Sequence, residues 1–153
     1  MLFLLFQLGQ DRYALEASQV AEVLPLVSIT PIPQAPAGVA GICNYHGVPV
    51  PVIDVSALML GQPAQRRLST RILLVYYPDD NGEKHLLGFI AEKAVETVRR
   101  EPTDFRASGI TNDAAASLGP VAIDAHGLVQ WIAMHKLLPA SVRHVLFKQL
   151  GEN

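Results

Sequence analysis

The chain is short of cysteine, of clustered charge and of long apolar runs, and each shortage removes a class of protein. Its one thiol, Cys43, rules out a disulfide within the chain and fits a reducing compartment. Lying between Ile42 and Asn44 in a strand-like run, Cys43 reads as a small buried hydrophobe. Only 17% of residues are charged, the net charge is -2, and basic residues never run beyond the pairs Arg66-Arg67 and Arg99-Arg100. No cationic track exists for a phosphate backbone, so nucleic acid is excluded as a partner. The opening MLFLLFQLG is apolar but too short to span a bilayer, and it lacks a basic flank and a small-residue cleavage site. It reads as a first strand, with no direct membrane insertion and a cytoplasmic location.

Signatures of catalysis are also missing. The five histidines, His46, His85, His126, His135 and His144, show no metal-ligand spacing, and none stands beside a second cysteine. Nucleophile elbow, P-loop and dinucleotide fingerprint are absent, and Gly38-Val39-Ala40-Gly41 is only a loose glycine pair. The expectation is a protein with no catalytic residues, no metal and no cofactor.

What is abundant is core-forming material in short pieces. Half of the 153 residues are hydrophobic, enough for one domain that buries roughly two-thirds of its unfolded surface. The organising stretch is VAGICNYHGVPVPVIDV, Val39 to Val55, whose β-branched runs flank Asn44-Tyr45-His46-Gly47 and predict a hairpin. Asn44 and Gly47 are its turn-structuring residues, one through a side-chain amide and one through freedom at positive φ. Pro49 and Pro51 sit two apart, so their missing N–H groups fall on one side of the strand, and that side cannot be a continuous ladder. Asp54 is suited to cap the short helix that follows.

The other segments follow the same logic. Leu2–Leu8 and 12–17 should pair across Gly9, Ser18 can cap a single helical turn, and 20–26 is extended. Residues 71–77 and 85–91 predict a hairpin around Asp79 to Gly82, 94–99 a separate strand, and 101–118 a long mobile loop. Pro120 to Asp124 and Leu128 to Ala133 form a last hairpin, with Val129 and Trp131 on one face and Leu128, Gln130 and Ile132 on the other. A short helical piece is expected over 135–138, then a terminal helix over 140–150 capped by Ser141, with Val142, Val145, Leu146 and Leu150 on one face and Arg143 and Lys148 outward. A faint repeat links Asn44–Leu58 with Asp124–Leu137, each running turn, His-Gly, strand, helix, with a one-residue slip. Two similar halves of short strands favour paired small barrels.

Several spaced motifs carry a family resemblance. Phe6-Gln7-Leu8-Gly9 with Tyr13, Val20-Ala21-Glu22-Val23, Ile32-Pro33, Gly41-Ile42-Cys43-Asn44-Tyr45-His46-Gly47 and Val50-Pro51-Val52-Ile53-Asp54 occur in order. This pattern resembles the CheW-like family, the coupling proteins of bacterial chemosensory arrays, and later segments extend it over nearly the whole chain. The chief departure is His46, where the family usually has Arg. The resemblance implies a mainly β fold of two packed five-stranded SH3-like barrels with short helices and a C-terminal helix. It assigns the first barrel to roughly 12–68 and the second to 70–138 with the N-terminal strand.

Function is implied in the same way. The chain would be a non-catalytic adaptor that joins the cytoplasmic tip of a chemoreceptor to the regulatory domain of a CheA-type histidine kinase, reaching the membrane only through receptor complexes. Matched by position, Val20, Glu22, His46 and Val98 would meet the receptor, and Gly41 and Ile42 the kinase. Against this stand ordinary core packing for Val20 and Val98, a solvated charge for Glu22 and a bare turn residue for His46. Two rivals remain open: a scaffold of a surface-sensing or biofilm-type pathway, and a small-molecule binder or enzyme with a polar pocket in the seam between barrels.

Overall fold

The computed structural model describes residues 1–107, 118–133 and 137–151. Nine strands are present among them: β1 (Leu2–Leu8), β2 (Asp11–Glu16), β3 (Val20–Pro25), β4 (Val39–Tyr45), β5 (Val48–Asp54), β6 (Arg71–Pro78), β7 (Lys84–Arg99), β8 (Leu118–Asp124) and β9 (Gly127–Ile132). Two helices join them, α1 (Val55–Leu60) and α2 (Ala140–Gly151), with single turns of 3-10 helix at Ala17–Gln19 and Pro102–Asp104.

The two strands expected at 85–91 and 94–99 are one strand of 16 residues, β7. Up to Ala91 it pairs antiparallel with β6 and, over Gly88 to Ile90, parallel with β5; from Glu92 it pairs with β1. The change of partner falls at Lys93, where φ is +50° and the register against β1 shifts. A single left-handed residue re-aims a strand without ending it, which is why local pattern reads as two pieces.

Shared β7 gives two five-stranded sets, β3-β6-β7-β5-β4 and β7-β1-β2-β9-β8. They are built alike: an antiparallel pair (β6–β7, β1–β2), a parallel joint (β7–β5, β2–β9), then a hairpin (β5–β4, β9–β8). The hairpin part of the faint repeat is therefore architectural. Its slip has a cause: His46-Gly47 is the two-residue loop between Tyr45 and Val48, whereas Ala125-His126 is the loop between Asp124 and Gly127. The expected boundaries need correction, since β2 belongs with β1 and β9, and β6 with the first part of β7 belongs to the first set. Chain order does not decide membership; long-range pairing does.

Period-two alternation sorts the core into three clusters. On β6, Ile72 and Leu74 face the interior of the first set with Cys43, Val50, Val52 and Ile90. On β1, Phe3 and Leu5 face the second with Ala14, Phe105 and Val129. The opposite faces, Leu73, Val75 and Tyr77 on β6 and Leu4, Phe6 and Leu8 on β1, meet in a central seam sealed by Val142 and Leu146 of α2. Both faces of β1 are buried over Phe3 to Phe6, which explains the apolar run from Leu2 to Phe6. Cys43 is buried as expected, and burial pushes its thiol pKa up.

The ends of the pattern fared unevenly. Val129 and Trp131 share the second interior while Ile132 faces the seam. The start of the 101–118 loop is folded, with Phe105 buried and Arg106 bridged to Val121; 108–117 lie outside the described residues. Leu137 and Leu138 form a turn, not helix, and 134–136 also lie outside. α2 begins at Ala140, so Ser141 stands inside its first turn and does not cap it. Lys148 and Leu150 have side chains outside the described set.

One charged clasp closes the second set. Arg12 on β2 grips Asp124 through two bonds of 2.7 and 2.8 Å, and Asp124 Oδ1 also accepts from His126 N–H. The Arg12 guanidinium holds the Asp124 pKa down, from 3.8 to about 2. A depressed carboxylate pKa contributes stability above the unfolded value and loses it as pH falls through the folded one. After discounting for solvent, Asp124→Asn should cost about 1–2 kcal/mol at neutral pH and flatten the acid loss between pH 3.8 and about 2, measured by urea midpoints across that range.

Candidate functional site

The β4–β5 hairpin is shaped by its turn. Asn44 Oδ1 accepts from Gly47 N–H at 2.7 Å, while His46 and Gly47 take φ of +50° and +86°. Two consecutive positive-φ residues make the primed turn that matches strand twist, so Asn44 and Gly47 structure the loop as expected. His46 is exposed, with its ring edge-on to Tyr45 at 4.5 Å. Tyr45 in turn donates its hydroxyl to the carboxylate of exposed Glu22 on β3, and that bond is the main reason its phenol pKa is raised. The structure thus brings Glu22 and His46 to one face, with Tyr45 as their bridge. Tyr45 was not singled out from sequence; its only signal was an aromatic beside the turn.

The other expected contact residues are placed differently. Val20 is half-buried against the central seam, next to a register shift between Val20 and Glu22 that turns β3. Val98 packs against the second interior beside Phe3 and Phe105, so these two valines sit in separate clusters. Gly41 is buried at φ +147°, and a Cβ there would lie 2.1 Å from Thr30 O. Its glycine has a local cause: Ile42 exchanges two 2.9 Å backbone bonds with Thr30, drawing that segment onto β4. Ile42 itself is half-buried, and with Thr30, Cys43, Asn44, Gly47 and Pro49 it lines an open concavity of about 420 Å³.

Proline spacing is explained by the same contacts. Pro49 and Pro51 lie opposite Asn44 and Ile42, and Ile42 turns its polar groups away from β5 toward Thr30. Each proline therefore occupies a site where no N–H is required by β4. On its other side β5 meets β7 only from Val52 onward, as an interrupted ladder demands. Asp54 caps α1 through Ala57 N–H at 3.1 Å and also accepts from Ala64 N–H at 3.0 Å.

Two polar groupings bear on chemistry. Asp79, Glu83 and His85 bring ligand-type atoms within 4.8 Å of one another, which histidine spacing alone did not suggest. Asp79 is already committed, however: Oδ2 to His85 Nε2 at 2.7 Å and Oδ1 to the N–H groups of Asn81 and Glu83. His85 stacks on Phe147 of α2, so the network fastens hairpin to helix. In the seam, a polar recess of about 370 Å³ is lined by Gln7, Gln10, Gln62, Arg67, Glu92 and Lys93. Glu92 accepts from Gly9 N–H at 3.3 Å and Gln65 N–H at 3.2 Å, tying the two halves together.

Comparison with known proteins now decides the family. A family model for the CheW-like domain matches residues 2–142. The chain belongs to the CheW-like family. Among curated CheW-like relatives, the chemotaxis protein CheW of Helicobacter pylori is 28% identical over 103 residues, 67% of this chain and 59% of that protein. The Rhizobium meliloti chemotaxis protein CheW is 31% identical over 70 residues, 46% of this chain and 44% of its own. The chain thus spans less than two-thirds of the length of these relatives. A crystal structure of the scaffolding protein TtCheW from Thermoanaerobacter tengcongensis superposes with a TM-score of 0.78 at 24% identity, over 92% of this chain and 89% of that one. The CheW-like fold of two five-stranded halves is therefore present, and no helix among the described residues is long and apolar enough to cross a membrane.

Proposed function

We propose that this CheW-like chain is a non-catalytic adaptor, joining the cytoplasmic tip of a chemoreceptor to the regulatory domain of a CheA-type kinase. The observation that carries this is the convergence of Glu22 and His46, through Tyr45, on one exposed face of a family member. We assign the receptor to that face, with Val20 supporting it from beneath and Val98 acting through the second interior. The kinase is assigned to the concavity beside Ile42, where Gly41 acts indirectly by letting Thr30 close on the strand. Both partners held at once raise the effective concentration of one at the other. The protein would be cytoplasmic and reach the membrane only in receptor complexes. A small-molecule role in the seam is disfavoured, since Glu92 is already spent on two backbone donors.

His46 bears on which pathway the adaptor serves. An arginine offers five donors in a rigid fork, and neutral imidazole offers one donor and one acceptor. Substituting His46→Arg should weaken capture of the native receptor tip and strengthen capture of tips from Arg-bearing systems. Glu22→Lys should reduce native receptor binding at least about tenfold, a loss of roughly 1.4 kcal/mol, while kinase binding survives. Pro49→Asp, at an exposed position, should do the reverse. Titration calorimetry of each folded variant against receptor tip and regulatory domain separates the faces; unchanged binding of both partners by all three variants would refute the assignment.

A further inference from the structure

Tyr45 has an anchored ring and a surface hydroxyl, and packing explains only the ring. The ring lies against the interior of the first set, while the hydroxyl donates to Glu22 Oε2. The two residues stand on β4 and β3, the end strands of that set, which pair with β5 and β6 and not with each other. This side-chain bond therefore joins strands that no ladder joins. Glu22 is exposed and belongs to no ion pair among the described residues, so the Tyr45 hydroxyl is what restrains its carboxylate there. A long exposed side chain gives up rotamer freedom when a partner immobilises it, and affinity falls by that amount. A carboxylate already held by a fixed phenol has given up part of that freedom beforehand.

We propose that Tyr45 is a positioning residue for receptor recognition: its anchored phenol presents the Glu22 carboxylate to a hydrogen-bond donor on the receptor tip. The inference rests on the assignment of the receptor to this face. A carboxylate only accepts, so the complementary group on the tip is a donor, and Glu22 Oε1, which accepts from no described residue, is the oxygen left for it. His46 meets the same phenol ring edge-on at 4.5 Å, so one anchored side chain touches both exposed residues assigned to the receptor here.

Tyr45→Phe deletes the hydroxyl and keeps the ring, so the circular dichroism, the urea midpoint and binding of the kinase regulatory domain should stay close to those of the wild-type chain. Calorimetric titration of the full chain with the native receptor tip should show an affinity loss of about 2- to 10-fold. Glu22→Ala should weaken the tip at least as much. Adding Tyr45→Phe to Glu22→Ala should cost nothing further, because the hydroxyl then has no carboxylate to hold. A side chain that served only packing would cost the same in both backgrounds, and that result overturns the positioning role. The role also falls, with the receptor face left standing, if Glu22→Ala weakens binding while Tyr45→Phe leaves it unchanged or strengthens it by freeing the carboxylate. If neither single variant alters receptor binding, the receptor assignment itself fails and the positioning role fails with it.

Discussion

Gly41→Ala is expected to destabilise the fold by about 3–5 kcal/mol, since among the described glycines its added Cβ would meet the closest contact. Two penalties combine. The φ of +147° is one that side chains avoid, and the added Cβ would stand 2.1 Å from Thr30 O and 2.7 Å from Thr30 C, which are backbone atoms and cannot swing aside. Relief requires breaking the paired bonds between Thr30 and Ile42. Gly47→Ala is the control: φ is +86° but nothing lies within 4 Å of its Cβ, so only the backbone term of about 1–2 kcal/mol applies. Urea midpoints of the two variants should differ clearly; equal midpoints would mean that the Thr30 contact contributes nothing. Any loss of kinase binding on changing Gly41 then reports a collapsed support, and Pro49 is the position that tests the surface itself.

Asp54→Ala should cost about 2–4 kcal/mol. The carboxylate is 8% exposed and serves two backbone donors, Ala57 N–H at the start of α1 and Ala64 N–H ten residues on. Its removal uncaps the helix and strands a donor at buried Ala64. Asp54→Asn keeps one acceptor oxygen and should lose less than half as much. Thermal unfolding ranks the three proteins, and faster hydrogen exchange at Ala64 in Asp54→Ala identifies the orphaned donor. A cost below about 1 kcal/mol would show that solvent replaces the carboxylate at both sites.

Much of this was legible in the chain because it is local. Asn44 and Gly47 announce their turn, the proline pair announces an interrupted ladder, and Asp54 announces a cap, each through chemistry confined to a few residues. What escaped needed distant partners. Lys93 carries no mark that it would hold a positive φ, so β7 read as two strands. Gly41 was read for the surface it would offer, whereas its cause is the backbone of Thr30. Tyr45 gains its role only when β3 brings Glu22 alongside, and Trp131 meets Ala14 only once β2 and β9 lie parallel. The parallel joints are the least visible feature of all, since no turn connects their strands.

Those joints also govern when the protein can fold as it is made. β1 is sticky on both faces and is made well before the far part of β7 that becomes its outer neighbour, and β2 has no second neighbour until β9 has appeared. At ordinary synthesis rates of about 5–20 residues per second, β1 waits roughly 4–17 s after β2 for residue 99, and β2 waits roughly 6–23 s for residue 129. Until Arg99 is made LFLLFQL has one edge unpaired, whereas β3 to β7 can assemble as soon as Ala91 is available. Among these strands β1 is therefore the one most exposed to aggregation during synthesis, and shielding it is the service a chaperone would render.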